Sequence, residues 1–314
     1  MKSFLNAKHL QNEEAAYAWV EARIWPNGPV CPHCGGVDRI SKMQGKSTRI
    51  GAYKCYQCRK PFTVKVGTIF ESSHVPMHLW LQAIFLLSSS KKGISSNQLH
   101  RTLGCTLKTA WFISHRVREA MRDGGLAPMG GAGGIVEVDE TYFGKTKEKK
   151  PSPQRKGRPF IHRGGGPSGK RAIVSLVERG GKVRSFHVEN ADKPTVVGIV
   201  TANVAKESRL HTDESRLYIG ADQHFSSHET INHTAKEYAR GDVTTNSVEG
   251  FFSIFKRGMK GVYQHCGENH LHRYLSEYDF RYNNRVALGV NDYERADRVL
   301  AGVVGKRLTY QTTR

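Results

Sequence analysis

The chain has 314 residues, 48 Lys and Arg against 28 Asp and Glu, a formal net charge of +20 and a hydrophobic fraction of 38%. That length leaves room for two or three domains with cores of their own, and the charge points to an anionic partner, nucleic acid before others. The apolar run Ala83 to Leu87 falls far short of the ~20 residues of a membrane span, and "MKSFLNAKHLQNEEAAYAW" lacks an apolar signal core, so a soluble, cytoplasmic protein is expected.

In chain order, a helical stretch from Asn12 to Arg23 comes first, with Ala16, Trp19, Val20 and Ile24 at helical spacing. "CPHC" and "CYQC" follow, pairing Cys31 with Cys34 and Cys55 with Cys58, with 20 residues between the pairs. This is the spacing of a structural zinc ribbon, in which four thiolates close the coordination sphere and leave no open position for chemistry. Pro32 and Gly35 favour a tight knuckle, His33 is expected to face solvent, and Cys105 and Cys266 read as packing cysteines. This first domain is expected over residues 1–72.

Residues 73–125 change to helical patterns: "MHLWLQAIFLLSSS", "ISSNQLHRTLG" and "TLKTAWFISHRVREAMR". Three helices with a tight Leu103-Gly104 turn before the last predict a helix-turn-helix that binds DNA, with Lys108, Thr109 and His115 near the outer face of the final helix. A plain helical linker domain would share the pattern. The Gly-rich "RDGGLAPMGGAGG" marks the next boundary.

From residue 126 to 314 a third domain is expected. Residues 135–143 read as a strand, Ala172–Glu178 and Val183–Val188 as a hairpin turned at Gly180-Gly181, Thr195–Val204 as a helix, and Arg209–Thr212 as a short strand before further helices. Between the first two strands, residues 145–171 hold ten Lys or Arg and one acid, Glu148. Such a segment cannot bury a core and is expected to be a basic arm that contacts DNA phosphates.

Three strands, a helix, a strand and then helices is the order of an RNase H-like nucleotidyl-transferase core, giving a multidomain α+β chain. Such a core converges carboxylates on two divalent ions about 4 Å apart, and magnesium favours hard oxygen donors. "IVEVDETYFG" places Glu137, Asp139 and Glu140 together in a strongly basic protein. Alternation puts Glu137 and Asp139 on one face and Glu140 on the other. Asp139, at the strand's end, is the first candidate ligand; its competing role is to form a turn. In "TTNSVEGFFSIFKRGMKG", Val248, Phe251, Phe252, Phe255 and Met259 form an apolar stripe. Glu249 and Lys256, two turns apart, project together beside it. Glu249 is a candidate ligand, although Asn246 three residues earlier also resembles a capping box. For a middle acid, Asp213 and Asp222 both stand after strand-like segments, and His224, His228 and His233 are expected to make ordinary hydrogen bonds or DNA contacts.

With "CPHCGG", "YKCYQCRKPFTVKVGTIFESS", "EVDETYFG", "HTDE", "INHTAKEYARGDVTTNSVEGFFSIFKRGMKGVYQH" and "HLHRYLSEYDFRYNNR", nearly the whole chain resembles bacterial insertion-sequence transposases of the DDE type, from the zinc-ribbon-bearing, Merlin-related (ISXO-like) group. The resemblance implies Asp139 and Asp213 as the first two catalytic acids. It leaves Asn246 or Glu249 as the third, and Glu249 is preferred because a carboxylate binds magnesium better than an amide and Lys256 is in phase with it. It implies two magnesium or manganese ions, a structural zinc, and homo-oligomers on DNA. The implied activity is binding of terminal inverted repeats, cleavage to a 3'-hydroxyl and its joining to target DNA, near the nucleoid. A non-catalytic DNA-binding regulator on a decayed core is the alternative; a plain RNase H-like nuclease would not need two DNA-binding modules.

Overall fold

The computed structural model describes residues 4–124, 127–145 and 169–308. Contacts divide the chain into two compact units: residues up to Arg122 together with those from Arg285 onward, and Asp123–Asn284.

The first unit begins with α1 (Lys8–Gln11) and α2 (Glu13–Ile24), the latter capped by the Asn12 side chain on Ala15 N. The antiparallel strands β1 (Ile40–Lys42), β2 (Tyr53–Cys55) and β3 (Pro61–Phe62) form a small sheet. Trp25 meets Tyr53 and Phe62 edge-on over this sheet, beside buried Cys31 and Cys55. Three helices follow: α3 (Met77–Ser89), α4 (Ser96–Leu103) and α5 (Leu107–Met121). Gly104 ends α4 at φ 64°, a left-handed conformation that glycine adopts without a Cβ clash. Ser95 and Thr106 cap α4 and α5 through their hydroxyls. From Ile113 to Val117 every side chain of α5 is buried, so this helix is the core of the unit.

The second unit holds β4 (Ile135–Phe143), β5 (Arg171–Glu178), β6 (Val183–Val188), α6 (Lys193–Asn203), β7 (Arg209–Asp213), β8 (Ser227–Ile231), α7 (Asn246–Gly258) and α8 (Leu271–Asn283). Among the described residues, five strands form one sheet in the order β6-β5-β4-β7-β8. β4, β5 and β6 are antiparallel neighbours, while β7 runs parallel to β4 and β8 parallel to β7. This is the RNase H-like order and sense. Val136, Val138, Val174 and Leu176 pack toward α6 on one face. Ile173 and Val177 pack with Val248, Phe251, Phe255 and Tyr278 of α7 and α8 on the other. The sheet is therefore buried on both sides, as its apolar strands require.

The chain then returns to the first unit as α9 (Asp292–Ala301). Here two expected limits are corrected. The sequence reading extends the catalytic domain through residues 285–314, but these belong to the first unit, toward which α9 carries Tyr293, Ala296, Val299 and Leu300. Phe85 stacks on Tyr293, Arg295 donates to Ser88 O, and Arg23 forks onto Asp297. Residue 72 is also no domain edge. The Glu13 carboxylate accepts from Met77 N at 2.7 Å and His78 N at 3.1 Å, capping α3, whose own N-cap position is Pro76. Residues 146–168 of the basic insertion lie outside the described residues; at its base, Phe143 pairs with Arg171, which donates to Lys145 O. The sequence pattern does not predict β8, because "SHETI" is a short edge strand with weak alternation.

Candidate active site and metal centre

The four cysteines converge. Cys31 Sγ lies 3.6 Å from Cys58 Sγ and Cys34 Sγ 3.7 Å from Cys55 Sγ, and all four sulfurs are within 4.8 Å of one another. A zinc tetrahedron with Zn–S of about 2.3 Å has sulfur–sulfur edges of about 3.8 Å, so the donor set fits that ion. Two knuckles produce the geometry. Gly35 at φ 74° closes the first, and Arg59 at φ 61° occupies the equivalent position of the second. The Cys55 thiol is pulled down to about 7 by backbone amides, that of Cys58 foremost and then Gln57.

The second cluster is acidic and open. Asp139 leaves the centre of the sheet on β4, Asp213 ends neighbouring β7, and Glu249 stands in the first turn of α7. Burial, followed by the charges of Glu140 and Asp213, raises the Asp139 carboxyl to about 8; Glu249 adds to this, and Glu140 N, at 2.7 Å, opposes it. Asp213 is raised for the same first reason, with Glu214 and Glu249 contributing against Ser215 N and His233. Carboxylate oxygens are the hard donors that a divalent cation takes, although among the described residues only the four cysteines bring three or more donor atoms within 4.8 Å of one another. Lys256 faces the same cluster. Burial lowers its pKa, the Asp139 charge raises it, and Lys260 and Lys170 lower it further.

Side-chain alternation distributes the acids as expected. Glu140 turns to the α6 face, where Tyr218 Oη donates to it at 2.8 Å. Glu137 turns to the α7 face and is fully buried. Several sequence readings need correction. His115, expected near the outer face of α5, is completely buried against Trp111 at 4.2 Å, because that part of the helix is core. Lys108 is exposed and Thr109 half-buried, both in the first turn. The Asn246–Glu249 capping box is absent: the N-cap is Thr245, whose hydroxyl donates to Glu249 Oε1 at 2.7 Å. Asp222 is exposed in a single turn after Arg216–Tyr218, which is itself a short helix rather than a strand.

The three histidines do not gather. His228 bonds Thr212 Oγ1 at 2.9 Å, and His224 is exposed. His233 approaches Glu249 Oε1 at 3.3 Å. The sequence reading gives His233 only an ordinary hydrogen bond and does not single out Arg179, because each comes from a turn that only the folded sheet brings to α7. Among the described residues no helix is long and apolar enough to cross a membrane.

A family model described as the ISXO2-like transposase domain matches residues 131–283, and one described as the transposase zinc-ribbon domain matches residues 11–61. A protein of Halobacterium salinarum, described as an uncharacterized protein in transposable element ISH50, is 26% identical over 262 residues, 82% of this chain and 86% of that protein. Among solved structures, a chain of the simian T-cell lymphotropic virus intasome in complex with PP2A regulatory subunit B56 gamma aligns with a TM-score of 0.28 and 14% identity. That alignment covers 58% of this chain and 63%, under two thirds, of the other. A chain of the Mos1 strand transfer complex aligns with a TM-score of 0.23 and 12% identity, over 67% of this chain and 77% of that one.

A zinc ribbon ahead of a mixed-sheet core with acids on its central strands, matched by both models, defines a zinc-ribbon transposase. The chain belongs to the IS1595 family of insertion-sequence transposases.

Proposed function

We propose that this chain is the active DNA strand transferase of its insertion sequence, with Asp139, Asp213 and Glu249 as the acids that hold two magnesium or manganese ions. The observation that carries the reading is the placement of half-buried Asp139 on central β4, Asp213 at the end of neighbouring β7 and Glu249 in the first turn of α7, with the charges of the other two acids raising the Asp139 carboxyl. Bound there, the ions would supply polarisation of a phosphoryl oxygen and activation of the attacking oxygen. The chain's own residues set the rest. Lys256 and Lys260 offer positive charge to a DNA phosphate beside the acids, and Thr245 orients Glu249 through its hydroxyl. In the first step a water oxygen attacks phosphorus and the bond to the 3'-oxygen breaks, leaving a 3'-hydroxyl. In the second, that hydroxyl attacks a target phosphodiester and releases another 3'-oxygen, so bonds are exchanged without an external energy source.

Recognition of the terminal inverted repeats falls to the first unit, with α4 and α5 as a helix-turn-helix. The exposed first turn of α5, with Leu107 and Lys108, supports this reading, since recognition helices read bases through their N-terminal residues. Two ends must be brought together, so a homo-oligomer on DNA is part of the proposal. The basic insertion would follow phosphates: neutralising Lys149, Lys150, Arg155 and Lys156 should lower the salt slope of binding by roughly 0.9 per lost contact. The central test is Asp139→Asn in the full chain, which should bind a duplex taken from the DNA flanking the reading frame but not cleave it. Cleavage at the wild-type rate would refute the assignment; a wild-type chain that binds but never cleaves would favour the regulator.

A further inference from the structure

We propose that buried Glu137, paired with partly exposed Arg179, positions the catalytic site, capping α7 from the strand that carries Asp139 and so setting the separation of the first and third acids. The inference rests on the catalytic reading of Asp139 and Glu249 given above.

The N-cap residue of α7 does not cap it. The hydroxyl of its N-cap residue Thr245 is turned to Glu249, and Asn246 N donates to Thr244 Oγ1 at 3.1 Å. Glu249 N makes the first bond back along the helix, to Thr245 O. The amides between them, of Ser247 and Val248, would be orphaned at the buried end of a helix. Both donate to Glu137 Oε2, at 2.7 and 3.2 Å. Oε1 of the same carboxylate accepts from Ser247 Oγ at 2.9 Å and from Arg179 Nε and Nη2 at 3.1 and 2.8 Å. A fully buried carboxylate is tolerated only when its lone pairs are satisfied in this way, and the helix dipole adds to the attraction.

Arg179 extends the clamp. It donates to Asp242 O at 2.6 Å and Thr244 O at 3.2 Å, fixing the segment that leads into α7. Glu137 pairs across the sheet with buried His211, and His211 with Glu229, whose Oε2 lies 3.3 Å from His211 Nε2. Strand periodicity stacks this layer directly under the acids: Glu137 is two residues before Asp139, and His211 two before Asp213. Val248, held by Glu137, immediately precedes Glu249. The clamp thus joins the two candidate ligands through a path of three residues, although they lie 110 positions or so apart in sequence. For stability alone, apolar residues of similar volume often replace a buried ion pair without loss. The ion pair adds a fixed register of α7 on β4.

The test uses the full chain with Glu137→Gln, Ser247→Ala and Asp139→Asn. Three readouts are taken: hydrogen exchange at the Ser247 and Val248 amides without metal, Mn2+ affinity by titration calorimetry, and Mn2+-dependent cleavage of the flanking-DNA duplex. Glu137→Gln should lose protection at both amides, bind Mn2+ about 10- to 100-fold more weakly, and lose kcat with DNA affinity unchanged. Ser247→Ala should shift Mn2+ affinity in the same direction by less. Asp139→Asn separates the two claims. If it loses Mn2+ binding while Glu137→Gln keeps wild-type affinity and rate, the positioning proposal is overturned and the metal site stands. If Asp139→Asn binds Mn2+ as wild type does, the metal-site reading fails and takes this proposal with it. Should Glu137→Gln not fold, unchanged Mn2+ affinity in Ser247→Ala overturns the proposal.

Discussion

The cysteine centre and the acidic centre solve the same problem, gathering like-charged ligands, in opposite ways. The four thiols come from two knuckles that each turn on themselves, and their sulfurs already lie within 4.8 Å of one another. The acids arrive on β4, β7 and α7, and burial first, then neighbouring charge, raises the carboxyls of Asp213 and of Asp139, the latter to about 8. The closed centre has all its donors in place for one ion; the acidic one is proposed to keep its charge for ions that also meet DNA. Local chain geometry suffices for the first. The second needs a sheet and a remote helix cap.

The largest effects should separate the two centres. Removing the first ion by a strong chelator, or Cys31→Ser with Cys34→Ser, should unfold the ribbon, because structural zinc contributes on the order of 10 kcal/mol to folding. Circular dichroism and elemental analysis check this: one zinc per chain is expected, and a zinc-free, fully folded protein would break the contrast. Asp139→Asn or Asp213→Asn should instead abolish cleavage while leaving the fold intact.

The acid variants should also gain stability without metal. The Asp139 pKa is raised above its unfolded value, so its contribution is present at low pH and lost as pH rises through about 8. Asp139→Asn should therefore melt higher than wild type at pH 9, with a smaller difference at pH 6, and added Mg2+ should narrow the gap. Equal melting at both pH values would mean that neither burial nor the neighbouring acids raise the Asp139 carboxyl.

A sharper comparison concerns the third ligand. Glu249→Gln should lose turnover while folding normally. Asn246 is exposed and is not the N-cap, so Asn246→Ala should leave stability within about 0.5 kcal/mol of wild type. If Asn246→Ala is inactive and Glu249→Gln cleaves, the ligand assignments exchange.

A further contrast comes from a carboxylate outside both centres. Asp279 on α8 accepts from Ser185 N and Oγ at 2.8 and 2.7 Å, and burial still raises it to about 7. Its contribution should be full below its unfolded pKa and fade as pH passes 7, with no response to Mg2+. Urea melts of Asp279→Asn should show a flatter pH dependence than wild type. A Mg2+ response equal to that of Asp139 would erase the distinction between a packed carboxylate and a ligand.

Much of this was legible without coordinates, for identifiable reasons. The cysteine spacing encodes its own geometry, since each pair is bridged by two residues and a tight turn. β4 was readable in full, from Ile135 to Phe143, because a β-branched run with alternating acids has few other uses. The hairpin at Gly180-Gly181 followed from its turn residues. The sequence also placed Glu137 and Asp139 on one face, by period alone.

What it could not decide were the contacts whose partners are far apart along the chain. Glu13 caps α3 and Glu137 caps α7, and in both cases the N-cap residue itself makes no side-chain capping bond, so no short window contains the signal. α9 joins the first unit although more than 160 residues of the second intervene, because its apolar stripe finds its complement only there. His115 looked like a surface histidine until α5 was surrounded. Side-chain period is a property of neighbours in sequence; burial and remote capping are properties of neighbours in space, and only the packed sheet and helices create them.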